Sequence, residues 1–170
     1  MQQEFTMLYE KYKNTVFGYL YYMTSDYSLA EDLGQEVFLK IYLNIGRFKG
    51  NCSFKTWALT IARNTFLTAV SKKRVQFVEL TDDIPAVQAQ DSAENMIFKE
   101  EEIRFIQEVF KRLPENYRTI ILLKDREGMS YDQIGKIMGL PVSGVKITLY
   151  RARNRFRDVY ERLGGAKYGV

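Results

Sequence analysis

The chain has 170 residues, 46% hydrophobic and 14% aromatic, with a formal net charge of +4, one cysteine and no histidine. That is ample apolar material for one domain or two small ones, while a lone cysteine excludes an internal disulfide framework. Zinc sites built from the usual nitrogen and sulfur ligands are out of reach, and no metal or cofactor is expected. The first residues lack an uninterrupted apolar core and no stretch approaches the roughly 20 apolar residues that span a bilayer, so a cytoplasmic protein without membrane insertion is expected.

In chain order the pattern is all-helical. Phe5, Leu8, Tyr12, Val16, Tyr19 and Met23 recur at helical spacing and predict a first helix ending near Thr24 to Asp26. Ser28 with Glu31 makes a capping box and opens a second helix, whose apolar face is Leu33, Val37, Ile41 and Ile45 and which stops at Gly46. Arg47 to Cys52 is a basic, glycine-containing loop. A third helix starts at Ser53, runs through Trp57, Ile61, Ala62, Thr65 and Ala69, and ends in Lys72, Lys73 and Arg74. Residues 75–95 change texture: five acids, no basic residue, Pro85 and no sustained helical period mark a flexible acidic linker. The alternative is an irregular loop packed on a single globule. Met96, Ile103, Ile106, Val109, Phe110 and Leu113 then predict a fourth helix, and Pro114 suits the first turn of a fifth that ends at Gly128.

The stretch from Ser130 to Arg153 carries the sharpest signal. Ser130 and Gln133 form a capping box, and Ile134, Ile137 and Met138 follow on one apolar face. Gly139 and Pro141 forbid continuation, and Ser143 is placed to cap the next helix. Gly135, mid-helix, should cost about 1 kcal/mol relative to alanine, which makes sense where two helices approach closely. The second helix sets Val145, Leu149, Ala152, Phe156, Val159 and Leu163 on one side and cations on the others. From 143 to 170 there are seven Lys/Arg against two acids, a local charge of +5 that suits a polyanion. A helix-turn-helix with a basic recognition helix is the sharp interpretation; a helical hairpin with a solvated basic face is the bland one.

Two constellations stand out in the first half. Asp32, Gln35, Glu36 and Phe38 lie on neighbouring turns and suit a protein-docking face, though on these residues alone an ordinary solvated acidic helix start, favoured by the helix dipole, fits slightly better. Phe48 to Asn64 interleaves aromatics with Lys49, Lys55, Arg63 and Asn64, the ingredients of single-strand binding. Phe54, Trp57 and Ile61 share helical spacing and also fit a core, the assignment favoured for Trp57.

Taken together, Ala30 to Leu39, Ser53 to Trp57 and Ile61 to Asn64 resemble the second region of the extracytoplasmic-function (ECF, group 4) sigma factors of bacterial RNA polymerase. Leu113 to Arg118, Gly128 to Tyr131, Ile134 to Pro141 and Arg151 to Arg153 resemble the fourth. The resemblance implies two small helical domains, residues 1–74 and 96–170, joined by a linker at 75–95 that threads through the polymerase toward the RNA exit path. It implies that Asp32, Gln35, Glu36 and Phe38 bind the clamp helices of the largest core subunit. Arg47, Phe48, Lys49, Asn51 and Ser53 would belong to the loop that captures an extruded -10 base, with Lys55 beside it. Arg63, Asn64, Lys72, Lys73 and Arg74 would meet the opening strands. Ser143, Lys146, Thr148, Arg151 and Arg153 would serve the -35 element in the major groove.

The chain departs from the family pattern at Gly34, Thr68 and Ser71, and at Gly144 to Thr148, where Thr-Val-Lys-Ser-Arg is frequent. The expected role is a non-catalytic specificity subunit that binds core RNA polymerase and promoter DNA, and the resemblance admits an anti-sigma factor as a further partner. A free-standing helix-turn-helix regulator acting as a dimer is the runner-up. An enzyme has little support, since no cysteine pair, phosphate-cradling glycine loop or inward carboxylate constellation is visible.

Overall fold

The computed structural model describes residues 2–78 and 97–165. Helix α1 spans Gln2–Thr24 and fully buries Val16, Tyr19, Leu20 and Met23, the three-and-four spacing of one helical face. Ser25, at φ 53°, breaks it. Helix α2, Tyr27–Asn44, is capped by Asp26, whose carboxylate accepts from the Leu29 amide at 3.0 Å. The expected Ser28 cap is therefore displaced. Aspartate caps as well as serine, and the Thr24 hydroxyl fixes Asp26 through contacts to its amide (3.2 Å) and carbonyl (3.0 Å).

α2 does not stop at Gly46 but tightens into a 3₁₀ turn, Ile45–Arg47. After a loop whose apex, Gly50, has φ 70°, helix α3 spans Phe54–Val78. Ser53 sits just before it, its hydroxyl accepting from the Thr56 amide at 3.1 Å. α3 thus runs four residues past Arg74, into the stretch expected to be linker. The rest of that stretch, 79–95, lies outside the described residues.

Helices α4 (Ile97–Lys111), α5 (Glu115–Ile121), α6 (Tyr131–Met138) and α7 (Val142–Arg162) make the second half. Pro114 is the cap of α5, as its missing amide donor allows. α5 then widens into a π-helical turn, Leu122–Arg126, before Gly128 turns the chain at φ 63°. No described helix is long and apolar enough to cross a membrane.

The two halves do not keep separate cores. Buried residues from α1, α2 and α3 form one continuous cluster with those of α4 to α7. At the seam the Tyr19 hydroxyl meets Thr119 Oγ1 at 3.1 Å with both side chains buried, and Thr119 Oγ1 lies 3.7 Å from Met23 Sδ. Burial pushes the Tyr19 phenol up to about 12. Arg118 donates to the Met23 carbonyl at 2.7 Å, and burial pulls its guanidinium below the usual arginine value. Farther along, Lys55 pairs with Glu127 Oε2 at 2.8 Å and donates to the Glu127 carbonyl at 3.0 Å. The Arg126 guanidinium packs over the Tyr22 ring and against Gly18, where a Cβ would leave it no room.

Candidate nucleic-acid interface

The helix-turn-helix forms as its residues dictate. The Ser130 hydroxyl accepts from the Gln133 amide at 3.2 Å while the Gln133 side chain accepts from the Ser130 amide at 3.0 Å, a complete capping box. Gly139 closes α6 in the left-handed region (φ 67°, ψ 36°). The Leu140 amide returns to the Gly135 carbonyl at 3.0 Å, and a Cβ on Gly135 would stand 2.5 Å from the Leu140 oxygen. The close approach expected at Gly135 is real, and it is between α6 and the turn backbone.

One detail differs from expectation. Pro141, in extended conformation, occupies the cap position of α7, so the helix starts two residues earlier than a Ser143 cap would place it, and Ser143 sits exposed inside the first turn without a capping bond. α7 buries Val145, Leu149, Ala152 and Val159. At 3.6 residues per turn Ser143, Ile147, Tyr150 and Asn154 line the opposite side, with Lys146 and Arg151 on its two flanks. Lys146 and Arg151 are exposed as expected. Thr148 is half-buried, turned toward the packed side rather than along the outer strip. Arg153 is engaged by Asp125 of the π turn through two hydrogen bonds, which hold its guanidinium above the usual value. A groove of about 400 Å³ runs along this flank between Tyr131 and Arg157.

On α2, Asp32, Gln35 and Glu36 are exposed, Glu36 pairing with Lys40 at 2.7 Å. Phe38 is not part of that surface. It is 7% exposed and packs edge-on against Tyr9, with ring centroids 4.8 Å apart, because its angular position faces α1. The exposed stripe continues instead through Leu39 (57%), Tyr42 and Leu43 (68%). Sequence periodicity held the signal for these: 39 and 43 lie on the turns following 32, 35 and 36, opposite Val37 and Ile41.

In the loop Arg47, Lys49, Asn51 and Ser53 are exposed. Phe48 is half-buried, stacks on Trp57 at 4.7 Å and meets Phe54 edge-on, so it anchors the loop to α3 with one ring face already taken. Trp57 is half-buried against the core. Lys55 is tied to Glu127, and Arg63 donates to Asn116 Oδ1 at 3.1 Å while its Nε is buried without a partner. Asn64, Lys72 and Lys73 are exposed along α3, which places Lys72 about 30 Å from the loop; the Arg74 side chain lies outside the described residues.

Known proteins match this arrangement half by half. The family profile described as Sigma-70 region 2 covers residues 8–75, and that described as Sigma-70, region 4 covers 105–156. The ECF RNA polymerase sigma factor SigM of Bacillus subtilis is 31% identical over 155 residues, spanning 91% of this chain and 94% of that protein. This chain is an ECF sigma factor. The ECF RNA polymerase sigma-E factor of Haemophilus influenzae is 32% identical over 171 residues, covering 95% of the sigma factor described here and 90% of its relative. The fold is shared with the sigma factor RpoE solved in complex with the anti-sigma factor NepR from Bartonella quintana, at a TM-score of 0.76, 21% identity, and coverage of 94% and 98% of the two chains. It is shared too with CnrH in complex with the cytosolic domain of CnrY, at 0.71, 16%, 95% and 90%.

As a sigma factor it binds core RNA polymerase, recognises promoter -35 and -10 elements and promotes strand opening. A free-standing helix-turn-helix regulator would leave the region 2 half without a role.

Proposed function

We propose that the exposed α2 stripe is the polymerase-docking surface, that Arg47 to Ser53 capture an unpaired -10 base, and that the outer strip of α7 reads the -35 duplex. Residues 1–74 then serve core and -10 binding, residues 96–170 serve the -35 element, and 75–95 connect them within the cytoplasm. The protein positions promoter and polymerase and performs no chemistry of its own. RpoE was solved with the anti-sigma factor NepR and CnrH with the cytosolic domain of CnrY, and an anti-sigma partner is part of this proposal.

The observation that carries the assignment is the α2 stripe. Three polar residues, Asp32, Gln35 and Glu36, pass directly into exposed Leu39 and Leu43 on one side of the helix, with Tyr42 at its edge, where its ring meets Phe5 of α1 edge-on at 5.1 Å. An acidic helix start alone would leave those apolar residues unexplained. An apolar centre with a charged edge is the composition of a protein interface. Reversing charge at Asp32 and Glu36, or replacing Leu39 with lysine, should abolish co-purification with core polymerase while circular dichroism stays unchanged. Persistent binding by both variants moves the docking surface elsewhere.

A further inference from the structure

We infer that Ile147 and Tyr150 read thymine methyl groups in the -35 duplex. The inference deepens the assignment of α7 to that element and rests on it.

Ile147 is 52% and Tyr150 70% exposed, large apolar surface facing water at the middle of the outer strip. Neither packs into the core, whose α7 contribution comes from Val145, Leu149, Ala152 and Val159 on the far side. Surroundings decide what covers them. Lys146 and Arg151 flank the pair, Ser143 and Asn154 stand before and after it, and the strip carries no acid before Asp158. A protein partner able to cover this patch would have to be strongly acidic; duplex DNA meets the cations with phosphates and the centre with base edges.

The major groove admits a helix and offers a single apolar group, the thymine C5 methyl, with which aliphatic and aromatic side chains make contact. Ile147 has no hydrogen-bonding group, so at that point a methyl is the only base feature it can favour. Residues three apart on a helix have Cβ atoms roughly 5–6 Å apart, and base pairs rise 3.4 Å, so the two side chains address positions one or two base pairs apart. Burying one methyl from water corresponds to a preference of about 4-fold for thymine over a base lacking it.

The test uses holoenzyme reconstituted from core polymerase and this chain. Selection from a randomised promoter library defines the upstream element. Deoxyuridine then replaces each thymine of that element singly, removing a methyl and leaving base pairing intact, and affinity is measured for wild type, Ile147→Ser and Tyr150→Ser. We expect uridine at two positions, one or two base pairs apart, to weaken wild-type binding about 4-fold each. One loss should vanish in Ile147→Ser and the other in Tyr150→Ser. Uridine that weakens binding nowhere, or losses undiminished in both variants, overturns the methyl contact alone. Selection of no upstream element at all overturns the -35 assignment of α7 and the methyl contact with it.

Discussion

Alanine at two helical glycines should move stability in opposite directions. In an unobstructed helix Gly→Ala is stabilising by up to about 1 kcal/mol, through propensity and a less disordered unfolded chain. At Gly34 of α2 the new Cβ would find Leu20 Cδ1 at 3.9 Å and nothing nearer, an ordinary contact. Gly34→Ala should therefore raise Tm by roughly 2–4 °C. At Gly135 the same methyl would stand 2.5 Å from the Leu140 carbonyl oxygen, a backbone atom that cannot swing aside. The Leu140 amide is bonded to the Gly135 carbonyl at 3.0 Å, so relief means opening the turn that aims α7. Overpacking costs about 1–3 kcal/mol and the strained hydrogen bond about 1 more, which outweighs the propensity gain. The net loss of about 1–3 kcal/mol should lower Tm by roughly 2–12 °C. Holoenzyme affinity for the -35 duplex should fall with it, since α7 is re-aimed, whereas Gly34→Ala leaves that affinity alone. Thermal denaturation followed by circular dichroism, with duplex binding alongside, separates the two. If Gly135→Ala stabilises as Gly34→Ala does, the turn has room to spare and the close approach is not what requires glycine.

Tyr19, held near 12 in the fold, keeps its proton after an unfolded tyrosine has lost its own, so stability should decline between pH 10 and 12; Tyr19→Phe should flatten that limb in pH-dependent urea melts. Glu127→Gln removes the charge partner of Lys55 and should cost about 1–2 kcal/mol, less than a fully buried pair because the Lys55 side chain is 29% exposed. Hydrogen exchange should then accelerate along the contact of α3 with α6, and unchanged protection there would show that the ion pair does not hold the halves together. Arg151→Ala should weaken promoter binding across sequences and reduce the salt slope by about one if its contact is to phosphate; an unchanged slope with altered base preference would make it a base contact instead.

Local chemistry was legible in the sequence wherever a few adjacent residues decide the outcome. Ser130 and Gln133 formed their box, Gly139 its left-handed stop, and Gly135 its close approach, because each depends on the backbone within a turn. Ser28 lost its cap to Asp26, an equally apt cap two residues upstream, and Ser143 to Pro141, whose fixed φ starts α7 two residues early with no side-chain capping bond. Phe38 looked like surface beside Asp32 and Glu36 but turned inward, since helix rotation relative to α1 settles which apolar residue is buried and the α2 sequence offers several. The contact between halves had no local signature: Tyr19 and Thr119 lie 100 residues apart, and no periodicity announces such a pair. That contact also engages Lys55 and Arg63, two cations expected to face DNA.

The most direct test of the account is initiation itself, measured with core polymerase and this chain on a duplex promoter and on the same template unpaired at -10. The account predicts specific start sites with the chain present and none with core alone. Asn51 substitutions should impair the duplex template, with pre-opening rescuing a melting defect while leaving any change in -10 base preference. Transcription without a defined start on either template would contradict the sigma role, and Asn51 variants indistinguishable from wild type on both would remove strand capture from the Arg47 to Ser53 loop.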